Sequence, residues 1–158
     1  MTVIRGIRPE EIPVLEDFLY EAIFIPEGFP MPPRSVIENE DLLVYVRDFG
    51  KEPDDRCLVA EADGKIVGAV WTRIMQDYGH IDNQTPSLAI SLYREYRNRG
   101  IGTQLMRCML EKLKADGYKA VSLSVQKANY ALQLYRNVGF IPISDHGDEL
   151  LMVHRLSI

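Results

Sequence analysis

"LAISLYREYRNRGIGTQLM", residues 88–106, decides how the chain is read. Ser87–Tyr93 reads as a strand, and the residues after Gly102 read as a helix to about Asp116, closed by Gly117. Between them stand Arg94, Arg97 and Arg99, followed by Gly100-Ile101-Gly102. A strand-to-helix turn leaves the first helical N–H groups unpaired, pointing at whatever lies ahead. Aligned peptide dipoles add roughly half a positive charge there, which favours an anion by about 0.3–1 kcal/mol per interaction. Glycines at 100 and 102 remove side chains that would keep a phosphate from those N–H groups. Arg97 and Arg99 can add charge and bidentate donors. The stretch predicts an anion-binding turn.

Outward from that turn the elements alternate. Val3–Arg8 reads as a first strand, and Pro9-Glu10-Glu11 opens a helix with proline and two acids in its first turn. Ile12, Leu15, Leu19, Ala22 and Ile23 keep helical spacing through it. "IPEGFPMPPR" then reads as a stiff loop, and a second helix is expected from Ser35 to Arg47. Arg56–Ala62 and Lys65–Met75 flank Asp63-Gly64, the strongest hairpin signal in the chain. Lys119–Val125 alternates like a strand, and Asn129 caps a helix through about Val138 that ends at Gly139. Phe140–Ile143 and Leu150–Arg155 close the chain as two strands around Gly147-Asp148. The order β-α-α-β-β-β-α-β-α-β-β predicts an α/β fold on a mixed sheet, one domain over residues 1–158 with no internal repeat.

Composition narrows the classes. A net charge of −5 argues against general nucleic-acid binding, which needs a basic face. No apolar run approaches a membrane span and the N-terminus has no signal-peptide core, so no membrane partner and a cytoplasmic location are expected. Cys57 and Cys108 lack CxxC spacing and sit in apolar runs, which predicts reduced, buried thiols. His80, His146 and His154 are scattered, and no metal site is expected.

Three phosphate motifs compete for the glycine turn. A dinucleotide fingerprint needs a small third residue where Leu105 stands, and a P-loop needs a Lys-Ser/Thr pair that is missing. The third is a turn of pattern Arg/Gln-x-x-Gly-x-Gly/Ala after a strand, met by Arg97-Asn98-Arg99-Gly100-Ile101-Gly102. A second pattern, a strand followed by Asn-x-Ala-x-x-x-Tyr and then Gly-Phe, is met in "SVQKANYALQLYRNVGF" by Asn129, Ala131, Tyr135, Gly139 and Phe140. Together they resemble the GNAT family of N-acetyltransferases, over essentially the whole chain.

The resemblance implies a mainly antiparallel sheet of about seven strands flanked by about four helices. It implies acetyl-CoA as co-substrate and direct transfer of the acetyl group to an amine, on a small molecule or a peptide. Backbone groups of Asn98, Arg99, Gly100, Ile101, Gly102 and Thr103 would take the pyrophosphate, with Arg97 alongside. Ile90, Ser91 and Leu92 would pair with the pantetheine, an N–H near Leu92 would polarise the thioester carbonyl, and Asn129 would contact the pantetheine arm. Tyr135 would protonate the departing thiolate, since a phenol still holds its proton at neutral pH. The family's glutamate base corresponds to Pro86 or Ser124 here, and neither is a carboxylate. Glu61, Asp77, His80, Asp82 and a water relay stay open, and no base is assigned. Phe24, Phe29 and Met31, followed by Glu38, Glu40 and Asp41, suit a cationic acceptor or a core wall with a solvated acidic face. A homodimer is compatible with the chain. The alternative function is a module that binds acyl-CoA without turning it over.

Overall fold

The computed structural model describes residues 2–156. Seven strands form one sheet: β1 (Thr2–Gly6), β2 (Arg56–Ala62), β3 (Lys65–Arg73), β4 (Ser87–Leu92), β5 (Ala120–Gln126), β6 (Ile141–Asp145) and β7 (Glu149–Arg155). Their order is β1-β2-β3-β4-β5-β7-β6. Every neighbouring pair is antiparallel except β4 and β5, which run parallel. Four α-helices flank the sheet: α1 (Leu15–Glu21), α2 (Glu40–Leu43), α3 (Ile101–Ala115) and α4 (Ala131–Asn137). This is the mixed, mainly antiparallel α/β architecture expected from the sequence.

The sheet divides the core in two. On one face α3 buries Ile101, Leu105, Met106, Met109, Leu110 and Leu113 against Val70, Leu88, Val121, Leu123 and Met152. Each such aliphatic side chain contributes about 1.5–3 kcal/mol when fully buried. On the other face Phe18, Leu19, Ile37 and Val46 pack on Val59, Ala69 and Trp71. The β2–β3 hairpin turns at Asp63 (φ 53°) and Gly64 (φ 79°), as the sequence predicts.

The two N-terminal helices depart from expectation. Pro13 lies inside the first and has no N–H to donate, and residues Pro9–Val14 form a tight 3-10 turn before α1 begins at Leu15. The single helix expected over Ser35–Arg47 is instead a 3-10 turn, Arg34–Glu38, and the short α2, separated by Asn39 in an extended conformation. Side chains of the sheet take carbonyls of the segment that follows α2, which the end of a helix leaves unpaired. Trp71 Nε1 donates to Tyr45 O (3.1 Å), and Arg73 Nη1 donates to Val44 O (3.1 Å) and Arg47 O (2.8 Å). Cys57 is buried as expected, whereas Cys108 is half-buried.

Arg73 anchors this whole segment. Its guanidinium donates to Asp55 through Nε (3.1 Å) and Nη2 (3.0 Å), with side chains 7% and 0% exposed. Removing one partner of a buried pair leaves a charge without compensation, at a cost of about 3–5 kcal/mol. Asp55→Ala is therefore expected to lower stability by that amount, read from the urea midpoint at unchanged slope. A loss below about 1 kcal/mol would show that the pair is solvated.

Candidate active site

The site starts from a split in the sheet. The only aligned pair between β4 and β5 is Ser87↔Ser122, reinforced by Ser122 N–H donating to Pro86 O (3.0 Å). Beyond it the strands diverge. Tyr93 N–H donates to Val67 O (3.0 Å), towards β3, so by the strand period Ser91, Ala89 and Ser87 also turn their amides to β3. Leu88, Ile90 and Leu92 then turn theirs towards β5, into the gap. Leu92 O accepts from Arg97 Nε (3.0 Å). The backbone of Ile90 and the N–H of Leu92 face the opening as an unpaired strand edge.

The turn after β4 closes one end of the gap. Asn98 (φ 62°) and Gly100 (φ 83°) both take the left-handed conformation, and α3 starts at Ile101. A Cβ at Gly100 would meet nothing within 4 Å, so its side stands open to solvent or ligand. Gly102 differs: a Cβ there would lie 3.4 Å from both Leu92 Cδ1 and Leu134 Cδ2, bridging β4 and α4 across the gap. Glycine at these two positions leaves the head of α3 without side chains on the side of the gap.

α4 forms the opposite wall. Asn129 Oδ1 accepts from Ala131 N–H (2.9 Å), the capping role expected of it. The helix ends in a glycine cap: Phe140 N–H donates to Tyr135 O (2.9 Å) and Gly139 N–H to Arg136 O (3.1 Å). Gly139 sits at φ 104°, where a side chain is strained, and a Cβ would come within 2.8 Å of the His154 ring. The cap fixes the backbone of Tyr135, whose ring packs edge-on to Phe140 at 6.1 Å. Tyr135 is 9% exposed, and burial pushes its phenol well above the usual range. No described residue hydrogen-bonds its hydroxyl.

Between these walls lies a cleft of about 530 Å³. Ile90, Ser91, Leu92, Arg97, Asn98, Gly100, Gly102, Thr103, Asn129 and Tyr135 all line it. Arg99 and Ile101 do not. Ile101, the first residue of α3, is buried in the core, and Arg99 stacks over the Tyr96 ring at 5.4 Å. The sequence profile of the Acetyltransferase (GNAT) family matches residues 19–140, which contain this whole constellation.

The chain belongs to the GNAT family. It is 34% identical over 113 residues to an N-alpha-acetyltransferase of Sulfurisphaera tokodaii, covering 65% of this chain and 66% of that protein. It is 38% identical over 105 residues to the probable N-acetyltransferase camello of Xenopus tropicalis, covering 65% and 46%. The chain thus spans less than two-thirds of the length of either relative. Among solved structures, PaiA N-acetyltransferase from Thermoplasma acidophilum, in complex with coenzyme A, superposes with a TM-score of 0.72 at 19% identity, covering 98% and 99% of the two chains.

Within this GNAT domain the three arginines have separate fates. Arg97 is held by Leu92 O and, through Nη2, by Glu21 O (3.3 Å) and Glu21 Oε2 (3.5 Å), which ties the turn to the end of α1. Arg94 lines the cleft, and among the described residues Met31 Sδ at 3.9 Å is its one side-chain partner. Sequence reasoning favoured Arg97 and Arg99 from their place in the motif and passed over Arg94, whose position depends on the loop opposite. That loop supplies Ile23, Phe24, Ile25 and Met31 to the wall, while Phe29 is exposed outside it. Glu40 pairs with Arg47, and Asp41 accepts from Tyr78 OH (3.3 Å). Among the described residues no group of three or more His, Cys, Asp or Glu side chains could hold a metal ion, and no helix is long and apolar enough to cross a membrane.

Proposed function

We propose that the chain binds acetyl-CoA in this cleft and transfers its acetyl group directly to an amine. The observation that carries the reading is the coincidence of three features in one gap: the open left-handed turn at the head of α3, the unpaired edge of β4, and the unengaged hydroxyl of Tyr135. The pyrophosphate would lie on the backbone of 98–103 and the pantetheine along Ile90–Leu92. Binding acetyl-CoA as an added strand uses the backbone groups that the divergence of β5 leaves free. Arg97 would brace the turn, since its Nε and Nη2 already hold Leu92 and Glu21. The N–H of Ile90 or Leu92 would polarise the thioester carbonyl, and Tyr135 would protonate the sulfur as the C–S bond breaks.

The test is release of coenzyme A thiol from acetyl-CoA in the presence of 1,4-diaminobutane and of short peptides with free α- and ε-amines. Acceptor-dependent release is expected with at least one of them. With a high-pKa amine, kcat/KM should rise from pH 6 towards 9 as the neutral amine or the enzyme base becomes available. Burial raises the Tyr135 pKa, so its acid form persists to higher pH, and no alkaline fall from its ionisation is expected below pH ~10. Tight acetyl-CoA binding without turnover on any acceptor would instead favour a sensor.

A further inference from the structure

A carboxylate stands beside Ser124 although none is encoded there. β5 and β7 pair through Ser122↔Val153, Ser124↔Leu151 and Gln126↔Glu149, so these six residues share one face of the sheet. Their neighbours Val121, Leu123, Val125, Leu150 and Met152 fill the core under α3, which puts Ser124 and Glu149 on the opposite face, towards α1 and α2. Ser87 of β4 points to the same side, donating to Asp77 Oδ1 (2.8 Å). Ser124 lies two residues past the Ser87↔Ser122 pair, where the split opens, and its Oγ is 3.5 Å from Glu149 Oε2.

Two carboxylates therefore border the apex of the split, and they are not equivalent. Asp77 already accepts two hydroxyls, from Tyr45 (2.8 Å) and Ser87 (2.8 Å). Glu149 has only the long contact to Ser124 and no ion pair among the described residues; it is half-buried. Its charge is felt nearby. The Tyr45 phenol is pushed up by burial first, then by Asp77, and then by Glu149; that of Tyr78 is pushed up by Asp41 first, with Glu149 contributing. Tyr45 and Tyr78 thus lie within reach of Glu149, and their hydroxyls are held by Asp77 and Asp41. An ammonium entering from this side meets negative charge that no described cation neutralises.

We propose that Glu149 is the base that accepts the proton of the acceptor ammonium, delivered from β7 in place of a carboxylate on β5. The acceptor is accordingly an amine that arrives protonated. The inference rests on the acetyltransferase reading above. Glu149 takes one proton from the ammonium, and the freed nitrogen lone pair attacks the thioester carbon. As the tetrahedral intermediate collapses, the C–S bond breaks, the sulfur takes the Tyr135 proton, and the second nitrogen proton passes through water to restore the phenol. Glu149 then releases its proton to solvent, so one proton is released for each amide and thiol formed. Acid and base approach from opposite faces of the sheet, Tyr135 from the α3 side and Glu149 from the α1 side.

Glu149→Gln keeps the size and the contact to Ser124 while removing the base. With 1,4-diaminobutane or the peptide amine that wild type acetylates, kcat/KM at pH 7 should fall by about 10²-fold or more. The acetyl-CoA Kd and the melting temperature should stay close to wild type, and Glu149→Asp should recover part of the rate. The deficit should narrow above pH 9, as the neutral amine forms without help. A loss under about threefold at pH 7, or one of equal size at every pH from 6.5 to 10, would overturn the assignment. Wild type inert towards every amine tested would overturn the acetyltransferase reading itself; an active wild type with an equally active Glu149→Gln would overturn the base alone.

Discussion

Tyr135→Phe is expected to lower kcat by about 10²–10⁴ while leaving the fold intact, the usual worth of a positioned proton donor. The variant removes one oxygen from a ring that packs against Phe140, and the cap that fixes residue 135 is made by backbone groups, so neither support is lost. The hydroxyl has no partner among the described residues, so its removal orphans no protein group. Burial raises the phenol pKa, which would keep the proton in place until the sulfur develops negative charge. That interaction exists only as the C–S bond breaks, so kcat and kcat/KM should fall together, with the acetyl-CoA Kd unchanged. Single-turnover kinetics in which chemistry limits the rate provide the measurement. A fall of less than about threefold would remove Tyr135 from the role.

Much of this site was legible because it is local. The turn from Arg97 to Thr103 and the run from Asn129 to Phe140 each carry their geometry in consecutive residues, through glycines at left-handed positions and an asparagine cap. The Asp63-Gly64 hairpin was readable for the same reason. The second helix was not. The segment after Leu43 is held by Arg73, on a strand 26 to 29 residues away, which donates to the carbonyls of Val44 and Arg47. The local clue was Asn39 ahead of Glu40 and Asp41, a helix start rather than a helix interior. Glu149 escaped notice because its meaning lies in the β5–β7 register, which no local pattern encodes. Arg97 illustrates a further limit: its spacing announced the motif, but only the fold reveals that its Nε and Nη2 hold Leu92 and Glu21.

Gly102→Val should abolish useful acetyl-CoA binding. A Cβ at this position bridges Leu92 and Leu134 at contact distance, and the two further methyls of valine would occupy the gap itself. Valine is a better helix residue than glycine, so the free protein should be no less stable. The expected result is a rise in Kd of about a hundredfold or more, equivalent to about 2.8 kcal/mol, with an unchanged or higher melting temperature. Gly102→Ala separates the two components: its single Cβ sits at ordinary contact distance, and only a partial loss is expected. Wild-type affinity in Gly102→Val would place the ligand elsewhere.

The most direct test of the cleft as an acetyl-CoA site is calorimetric titration of the wild-type protein with acetyl-CoA and, separately, with S-acetyl-pantetheine. The second ligand keeps the thioester and the arm that would lie along Ile90–Leu92 but lacks every phosphate. The structure predicts one acetyl-CoA per chain and much weaker binding of S-acetyl-pantetheine, because the turn at Asn98–Thr103 then has no anion to hold. Equal affinity for the two would contradict the assignment of that turn to the pyrophosphate.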